Sequence, residues 1–223
     1  IQMNIKRNLV GYGHNPPHPK WPQEARIAVN FVINIEEGAE MSPLYGEKAS
    51  ESGLSEVPGG RHKKNKRDLG IESIYEYGSR SGFWRLAHLF ETNKLPTTYF
   101  ACAIALSLNS KISNYLKNST NDICCHGYRW TEHYKMSKAV EKKNIKNAFN
   151  LIYKLTNKKA QGWYCRYAPS NNTRELLVEN GNFIYDSDAY NDDLPYWVKV
   201  SNKKHLIIPY TLDNNDMRFA TNQ

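Results

Sequence analysis

The stretch VNFVINIEEG, residues 29–38, decides how the chain begins to fold. Apolar residues run through segment 27–35 without a polar alternation, which is typical of a parallel strand buried on both faces. The run stops at two adjacent carboxylates, Glu36 and Glu37, and then a glycine. Like charges side by side at the end of a buried strand destabilise a fold unless something compensates for them. This strand end is therefore the first candidate for a functional site.

The bulk composition is that of one folded domain. The 223 residues are enough to bury a sizeable core. Hydrophobic residues make up 40% and charged residues 23%, which excludes a disordered chain. No apolar run approaches the roughly 18 residues that a membrane span needs, and the first residues lack the apolar segment of a secretory signal. These features predict a cytoplasmic protein without a membrane partner.

The cysteines and the basic residues carry no sign of a special partner. The four cysteines, at positions 102, 124, 125 and 165, lie in apolar, strand-like contexts and are predicted to be buried reduced thiols. The net charge is +8, but only segment 61–67 is a dense basic run. It has turn-rich flanks and no interleaved aromatic residues, which favours an exposed loop over a nucleic-acid contact.

Strand-like and helix-like segments alternate along most of the chain. Segments 79–93 and 137–157 have helical spacing, whereas segment 36–72 is rich in turn residues and is predicted to be irregular. The alternation predicts an α/β fold with a parallel sheet. Polar residues recur at the predicted strand ends, which is where barrel-like parallel folds build their active sites. These residues are Glu36, Glu37, His126, Arg166, Asp186, Asp188, Asp213 and Asp216.

Several blocks, in order along the chain, resemble a known family. They read NIEEG, ESIYEYGSRSGFWRL, CHGYRW, GWYCRYAPSNNTRELL, YDSDAYNDDLPYW and PYTLDNNDMRF. They resemble the polysaccharide-deacetylase-like superfamily, the NodB homology domains, and within it the allantoinase and cyclic-amide-hydrolase branch. The resemblance implies a distorted (β/α) barrel over residues 26–223, after an N-terminal arm over residues 1–25. It also implies a hydrolase of non-peptide carbon–nitrogen bonds.

The resemblance assigns roles at the first strand end. Sugar deacetylases of the superfamily carry a pair of aspartates there, one as base and one as a metal ligand, with two histidines spaced H-x-x-x-H. Glu36 and Glu37 stand at the aspartate positions, and His126 stands at the first histidine. Trp130 stands at the second and cannot bind a metal. The implied base that activates water is Glu36. His126 is expected to orient Glu37 or the water or to assist proton transfer, the alternative being a polar histidine satisfied at a strand end. Glu37 and His126 would hold any divalent metal such as zinc.

Two explanations of the adjacent carboxylates stay open. Either a weakly held cation lies between them and His126, or one carboxyl group stays protonated, because two close acids do not both ionise cheaply. The second is favoured, since a catalytic zinc usually has three protein ligands. A carboxyl group with a raised pKa is also what acid–base catalysis near neutral pH requires.

Further residues in these blocks are candidates for binding a small amide or ureide ring. Arg80 is expected to hold a substrate carbonyl or to form a structural salt bridge. The aromatic candidates are expected to wall a planar ring or to pack in the core, and the polar ones to hydrogen-bond the ring or to brace loops. The candidates are Arg80, Trp130, Trp163, Tyr167, Asp188, Asn215, Asp216 and Arg218.

Two departures from the family pattern limit the functional prediction. The block RYAPS lacks the tyrosine that follows proline in sugar deacetylases, which favours a small pocket over a polysaccharide groove. Family members also continue past NDMRF with a strand that carries a general-acid histidine. We therefore expect a barrel that is incomplete at its C-terminal end, with strands covered by homo-oligomer formation. A cyclic amide hydrolase is the favoured function, and a metal-dependent sugar N-deacetylase and an inactive remnant of such an enzyme are the alternatives.

Overall fold

The computed structural model describes residues 7–53, 57, 64–167 and 169–220. In this part of the chain, seven strands form one sheet in the order β1-β2-β3-β4-β5-β7-β6. All neighbouring strands are parallel except β6 and β7, which form an antiparallel hairpin. The strands are β1 Phe31–Ile35, β2 Thr97–Ala101, β3 Asp122–Cys125, β4 Gly162–Trp163, β5 Tyr185–Asp186, β6 Tyr196–Val200 and β7 Lys203–Ile207.

Helices fill most of the connections between the parallel strands, as the alternation of the sequence predicts. Ser137 caps the longest helix by accepting a hydrogen bond from the Val140 N–H, and Gly181 ends the next helix in the left-handed region with φ 76°. The helices are α1 Leu69–Tyr77, α2 Phe83–Thr92, α3 Ala103–Leu108, α4 Ser110–Asn118, α5 Lys138–Thr156, α6 Thr173–Asn180 and α7 Met217–Ala220. The predicted α/β fold is confirmed.

Both faces of the sheet are packed, which explains the unbroken apolar runs. The larger core cluster lies between the sheet and the helices and includes Tyr99 and Ile35. A smaller cluster on the opposite face includes Phe100 and Tyr164. Consecutive residues such as Tyr99 and Phe100 are therefore both buried, one on each face. The four cysteines are buried with free thiols, as predicted.

The first strand is shorter than the apolar run predicts. Its pairing with β2 begins at Phe31, opposite Thr97. Ile27 and Val29 precede the ladder and are 72% and 66% exposed, so the prediction of a buried strand from residue 27 is wrong. Residues 27–29 are apolar without belonging to the sheet.

Helical structure begins earlier than the turn-rich composition predicts. Asp68 caps α1 by accepting hydrogen bonds from the backbone N–H groups of the second and third residues of the helix. A single turn of π-helix, Gly78–Gly82, then joins α1 to α2. The hairpin strand β6 was also not predicted. Its two turn residues, Ser201 and Asn202, both have positive φ, which is the geometry of a tight type I′ hairpin turn.

Two further sequence predictions concern the surface. In the basic run 61–67, residues 61–63 lie outside the described residues, and residues 64–67 are exposed, as expected for a solvated loop. No helix in the described part of the chain is both long and apolar enough to span a bilayer. The arm and domain boundaries, the homo-oligomer and the cytoplasmic location stay predictions of the sequence.

The contact between Gly162 and Tyr185 supplies a test of the sheet packing. Gly162 pairs with Tyr185 of the neighbouring strand, and a Cβ atom at position 162 would lie 1.9 Å from Cζ of the tyrosine ring. We expect Gly162→Ala to lower the free energy of unfolding in urea by about 1–3 kcal/mol, the usual cost of overpacking. The same change in a Tyr185→Leu background should cost less. An equal cost in both backgrounds would show that the ring contact is not responsible.

Candidate active site

The ends of β1 and β3 bring Glu36 and His126 together. Ile35, Ala101 and Cys125 lie in one row across three neighbouring strands, so the residues that follow Ile35 and Cys125 leave the sheet at the same edge. Glu36 Oε1 and His126 Nε2 are 2.9 Å apart. The imidazole side chain is 1% exposed and the carboxylate side chain 17% exposed. A buried imidazole thus holds a carboxylate that solvent can still reach.

The second ring nitrogen of His126, Nδ1, carries a proton that it donates to the backbone. Nδ1 lies 2.8 Å from the Tyr164 carbonyl oxygen. A carbonyl oxygen only accepts hydrogen bonds, so Nδ1 carries a proton and donates it. The contact between Nε2 and Glu36 therefore holds one further proton, either on the imidazole or on the carboxyl group. One hydrogen bond therefore joins the Glu36 and His126 side chains.

A stack of rings supports the imidazole from one side. The Tyr164 ring lies parallel to His126, with centroids 5.1 Å apart and an interplanar angle of 8°. Tyr210 stacks on the other face of Tyr164 at 4.8 Å and 7°. The amide of Asn215 donates a hydrogen bond of 2.8 Å to the Tyr210 hydroxyl, so this predicted ligand residue braces the stack. The stack leaves the imidazole plane little freedom to turn away from Glu36.

Glu37 points away from Glu36, to the helix-covered face of the sheet. Its Oε2 accepts a hydrogen bond of 3.0 Å from the Glu36 backbone N–H. Its Oε1 packs on Gly78, where a Cβ atom would lie 2.2 Å from it. Burial raises the pKa of Glu37 to about 7, with the charge of Glu36 adding to the effect. The strain of two adjacent acids is thus relieved by separation and by a proton held on Glu37 near neutral pH.

The π-helical turn that carries Gly78 presents other residues near this corner. Single π-helical turns inside α-helices are frequently found at functional sites. Tyr75, one turn earlier, has a buried hydroxyl without a hydrogen-bond partner in the described residues, and burial together with the charges of Glu51 and Glu36 raises its pKa. Arg80 instead points to solvent, is 77% exposed and pairs with Glu76 at 3.4 Å. The structure does not bring Arg80 to Glu36.

The donor set at this strand end does not fit a divalent metal. Both nitrogens of His126 already hold hydrogen bonds to Tyr164 and Glu36. The indole nitrogen of Trp130 is a hydrogen-bond donor only, and it is buried without a partner among the described residues. Across the same part of the chain, no group of three or more histidine, cysteine, aspartate or glutamate side chains is placed to hold a metal ion. The predicted ligands Glu37 and His126 face different neighbours.

The two predicted tryptophans lie in different environments. Trp130 is 3% exposed, and the Arg166 guanidinium lies over its ring with Cζ 3.9 Å from the centroid. Arg166 also pairs with the buried carboxylate of Glu51 at 2.7 Å. Trp163 is fully buried in the core and donates its indole N–H to the sulfur of Cys165 at 3.2 Å. Trp163 therefore packs and does not line the site.

Tyr167 combines strain with proximity to the site. Its φ of 49° places an aromatic residue in the left-handed region, which is a costly conformation that clusters at functional sites. Its ring meets Tyr164 edge-on at 6.4 Å and is 36% exposed. Burial raises the pKa of Tyr167 to about 12, and the charge of Glu36 contributes next. Of the predicted aromatic residues, Tyr167 is the one with an exposed ring, because Trp130 and Trp163 are buried.

Two aspartates at the end of β5, Asp186 in the strand and Asp188 just after it, have opposite environments. Asp186 accepts two hydrogen bonds from the Arg174 guanidinium and one of 3.0 Å from His205. Burial opposes ionisation of Asp186, but these partners prevail and its pKa is lowered. Asp188 accepts a 2.8 Å hydrogen bond from the Cys165 N–H, whereas its Oδ2 is buried and has no partner in the described residues. Burial, followed by the charge of Asp186, raises the pKa of Asp188 to about 7.

The last predicted residues lie at the start of α7, with Asp216 just before the helix and Arg218 within it. Asp216 is exposed, and Arg218 donates a hydrogen bond of 3.1 Å to the Asp213 carbonyl. Two cavities of about 640 and 380 Å³ lie elsewhere, one around Lys158 and one between Arg129 and Arg166. Neither is lined by Glu36 or His126. Glu36 is reached directly from solvent.

The sequence did not single out Tyr75, Tyr164 or Tyr210. Strand alternation in GWYCRY was the available signal for Tyr164, because it places this residue on the face opposite Trp163. Tyr75 and Tyr210 had no distinguishing pattern among the 15 tyrosines.

Comparison with known proteins identifies the family. The family model for polysaccharide deacetylases matches residues 63–183. A Schizosaccharomyces pombe protein assigned to the polysaccharide deacetylases is 36% identical over 236 aligned positions, which cover 96% of this chain and 72% of that protein. The chain belongs to the polysaccharide deacetylase family. A peptidoglycan deacetylase of Helicobacter pylori is 30% identical over 142 positions, covering 63% of this deacetylase-family chain and 48% of that protein.

Solved structures agree with this assignment. The crystal structure of PuuE allantoinase superimposes with a TM-score of 0.92 at 45% identity, covering 97% of this family member and 72% of that chain. A structure from Pseudomonas aeruginosa PAO1, assigned to the polysaccharide deacetylases, gives 0.91 at 46% identity with the same coverage. These matches confirm the predicted NodB-type (β/α) barrel fold and the resemblance to the allantoinase branch. The chain is a polysaccharide deacetylase-like hydrolase by family.

Gly78 and Gly82 provide a matched pair for testing the support of Glu37. Both have right-handed helical φ. A Cβ atom at Gly78 meets the Glu37 carboxyl, whereas at Gly82 the nearest atom is 3.7 Å away, in ordinary contact with Tyr77. We expect Gly78→Ala to destabilise the fold by about 1–3 kcal/mol and Gly82→Ala to be neutral or stabilising by up to about 1 kcal/mol. Urea unfolding of both variants checks this, and equal effects would contradict the contact.

The raised pKa of Glu37 has a predictable effect on stability. Between its ordinary pKa of 4.5 and about 7 the folded chain holds a proton on Glu37 that the unfolded chain has lost. Stability therefore falls as pH rises through this window, by at most about 1.4 kcal/mol per pH unit for one group. Glu37→Gln removes this contribution. The free energy of unfolding of the variant, relative to the wild type, should therefore increase from pH 4.5 to 7 and stay constant above pH 7. A difference independent of pH, measured by urea unfolding, would contradict the assignment.

Proposed function

We propose that this chain hydrolyses a carbon–nitrogen bond in a small cyclic amide or ureide, the substrate class that the name of PuuE allantoinase indicates for that relative. The observation that carries the proposal is the 2.9 Å hydrogen bond between Glu36 and His126, in a site whose donor set does not fit a metal. Structural similarity to the allantoinase at a TM-score of 0.92 supports the same choice. The residues available for chemistry are therefore an acid, an imidazole and the groups around them.

In the proposed reaction Glu36 acts as the general base. His126 holds Oε1, which leaves Oε2 to accept a proton from a water molecule at the exposed edge of the carboxylate. The water oxygen forms a bond to the substrate carbonyl carbon, and the carbon–nitrogen bond then breaks. The proton taken from water goes from Glu36 to the leaving nitrogen, so atoms and charge balance. The ring opens to a carboxylic acid and an amine-type nitrogen.

His126 serves this base by orientation. Its Nδ1–H is committed to the Tyr164 carbonyl, and its ring is stacked on Tyr164, so Nε2 keeps one direction. A base held in one orientation loses little entropy when the substrate arrives. Among the other predicted residues, Tyr167 is the best placed for binding a ring, because its side chain is 36% exposed beside Tyr164.

The second candidate is a metal-dependent sugar N-deacetylase. It is favoured by the relatives from Schizosaccharomyces pombe and Helicobacter pylori, which carry deacetylase descriptions. Trp130 at the position of the second histidine, together with the two occupied nitrogens of His126, counts against it. The two candidates predict different substrates and different responses to added zinc.

Hydrolysis assays separate the candidates. We expect the purified protein to open allantoin or a simple cyclic imide, and Glu36→Gln to lower kcat by about 10²–10⁴, the usual contribution of a general base. Glu175→Gln is the matched control, since the Glu175 side chain is 41% exposed and pairs with Lys138 and not with His126.

Two outcomes would contradict the proposal. Deacetylation of N-acetylglucosamine oligomers that requires added zinc, with no ring opening, would support the second candidate. If neither substrate set is turned over above the Glu36→Gln background, the result would support the third alternative, an inactive remnant of such an enzyme.

A further inference from the structure

One peptide group connects two ionisable side chains of the site. The carbonyl of the Tyr164–Cys165 peptide accepts the His126 Nδ1–H at 2.8 Å. The N–H of the same peptide donates to Asp188 Oδ1 at 2.8 Å. A continuous hydrogen-bonded chain therefore runs from Glu36 through His126 and this peptide to Asp188.

We propose that Asp188 is a positioning residue for His126, acting through the Tyr164–Cys165 peptide. The inference rests on the proposed function, since it concerns how the partner of the base is held. Asp188 does not need to touch the substrate for this role. It acts on the direction and strength of the hydrogen bond that fixes the imidazole.

The physical basis is polarisation of the peptide. A negative charge at the N–H end polarises the peptide group, which makes the carbonyl oxygen a stronger hydrogen-bond acceptor. The chain lies where such effects are large, because His126 and Tyr164 are 2% exposed and Cys165 is fully buried. Asp188 Oδ2 has no hydrogen-bond partner in the described chain, so less of the carboxylate charge is neutralised locally. The pKa of Asp188, raised to about 7 by burial, leaves the group charged above that pH.

The parallel register holds this chain in place. Cys125 pairs with Trp163, and Trp163 pairs with Asp186. The ladder continues one residue further, with the Tyr164 N–H donating to the Cys125 carbonyl at 3.0 Å and the Ser187 N–H to the Trp163 carbonyl at 2.9 Å. His126, the peptide and Asp188 therefore follow directly from paired strand ends. A simple loop brace between Asp188 and Cys165 is the competing explanation.

Asp188→Asn separates charge from geometry, because asparagine keeps an oxygen that accepts the Cys165 N–H. At pH 8.5 we expect the Nδ1–H proton resonance of His126 and the amide proton resonance of Cys165 both to move upfield relative to the wild type. We also expect kcat for ring opening to fall about 10- to 100-fold, as for other residues that orient a catalytic partner, with KM little changed. Asp193→Asn, an exposed change in the following loop, is the matched control and should leave both resonances in place.

The outcomes are decisive with or without turnover. If both resonances stay where they are in folded Asp188→Asn, the charge does not reach His126 and the proposal is overturned, whatever the activity. If the resonances move but no variant or wild type turns over a cyclic amide, the proposed function fails while the positioning role stands. Should Asp188→Asn not fold, through-hydrogen-bond couplings in the labelled wild type test the two links. A missing coupling from His126 Nδ1 to the Tyr164 carbonyl, or from the Cys165 nitrogen to the Asp188 carboxyl, overturns the proposal.

Discussion

The hydrogen bond between Glu36 and His126 is the interaction on which the rest of the site depends. It exists because Nδ1 is already committed to the Tyr164 carbonyl, which leaves Nε2 as the contact to the carboxylate. The parallel register of β1, β2 and β3 sets the distance, and the stack of Tyr164 and Tyr210 sets the ring plane. Removing any of these constraints would leave a buried imidazole beside a partly buried acid without a defined orientation.

Adjacent carboxylates are tolerated here because the turn that follows β1 sends the two side chains to different neighbours, Glu36 to His126 and Glu37 to Gly78. Glu36 reaches the face of the smaller cluster, where His126 and Tyr164 lie. Glu37 enters the helix-covered face, where the missing side chain of Gly78 gives it room and burial raises its pKa to about 7. Glu36 keeps a solvent-accessible edge, whereas the Glu37 carboxyl group is packed against Gly78. The π-helical turn is the part of the fold that makes this division sterically possible.

The sequence predicted the fold and the central pair, but not the surroundings of the pair. Strand ends and quoted motifs located Glu36 and His126, because parallel strands end at a common edge. The predictions for Trp163 and Arg80 relied on residue type, and type does not say on which face of a strand or helix a side chain lies. Trp163 packs in the core and Arg80 points to solvent. Tyr164 contributes through its carbonyl and its ring face, which only long-range packing reveals. The first strand was predicted too long because apolar residues also occur outside the ladder.

A crystal structure with a bound, unhydrolysed cyclic imide tests whether Glu36 is the base. We expect the ring to lie beside Tyr167, with a water molecule held by Glu36 Oε2 at roughly 3–3.5 Å from the carbonyl carbon, the distance of a reactive arrangement. The Glu36–His126 hydrogen bond should persist in that complex. A ring bound in the cavity between Arg129 and Arg166, with no water between Glu36 and a carbonyl carbon, would contradict it.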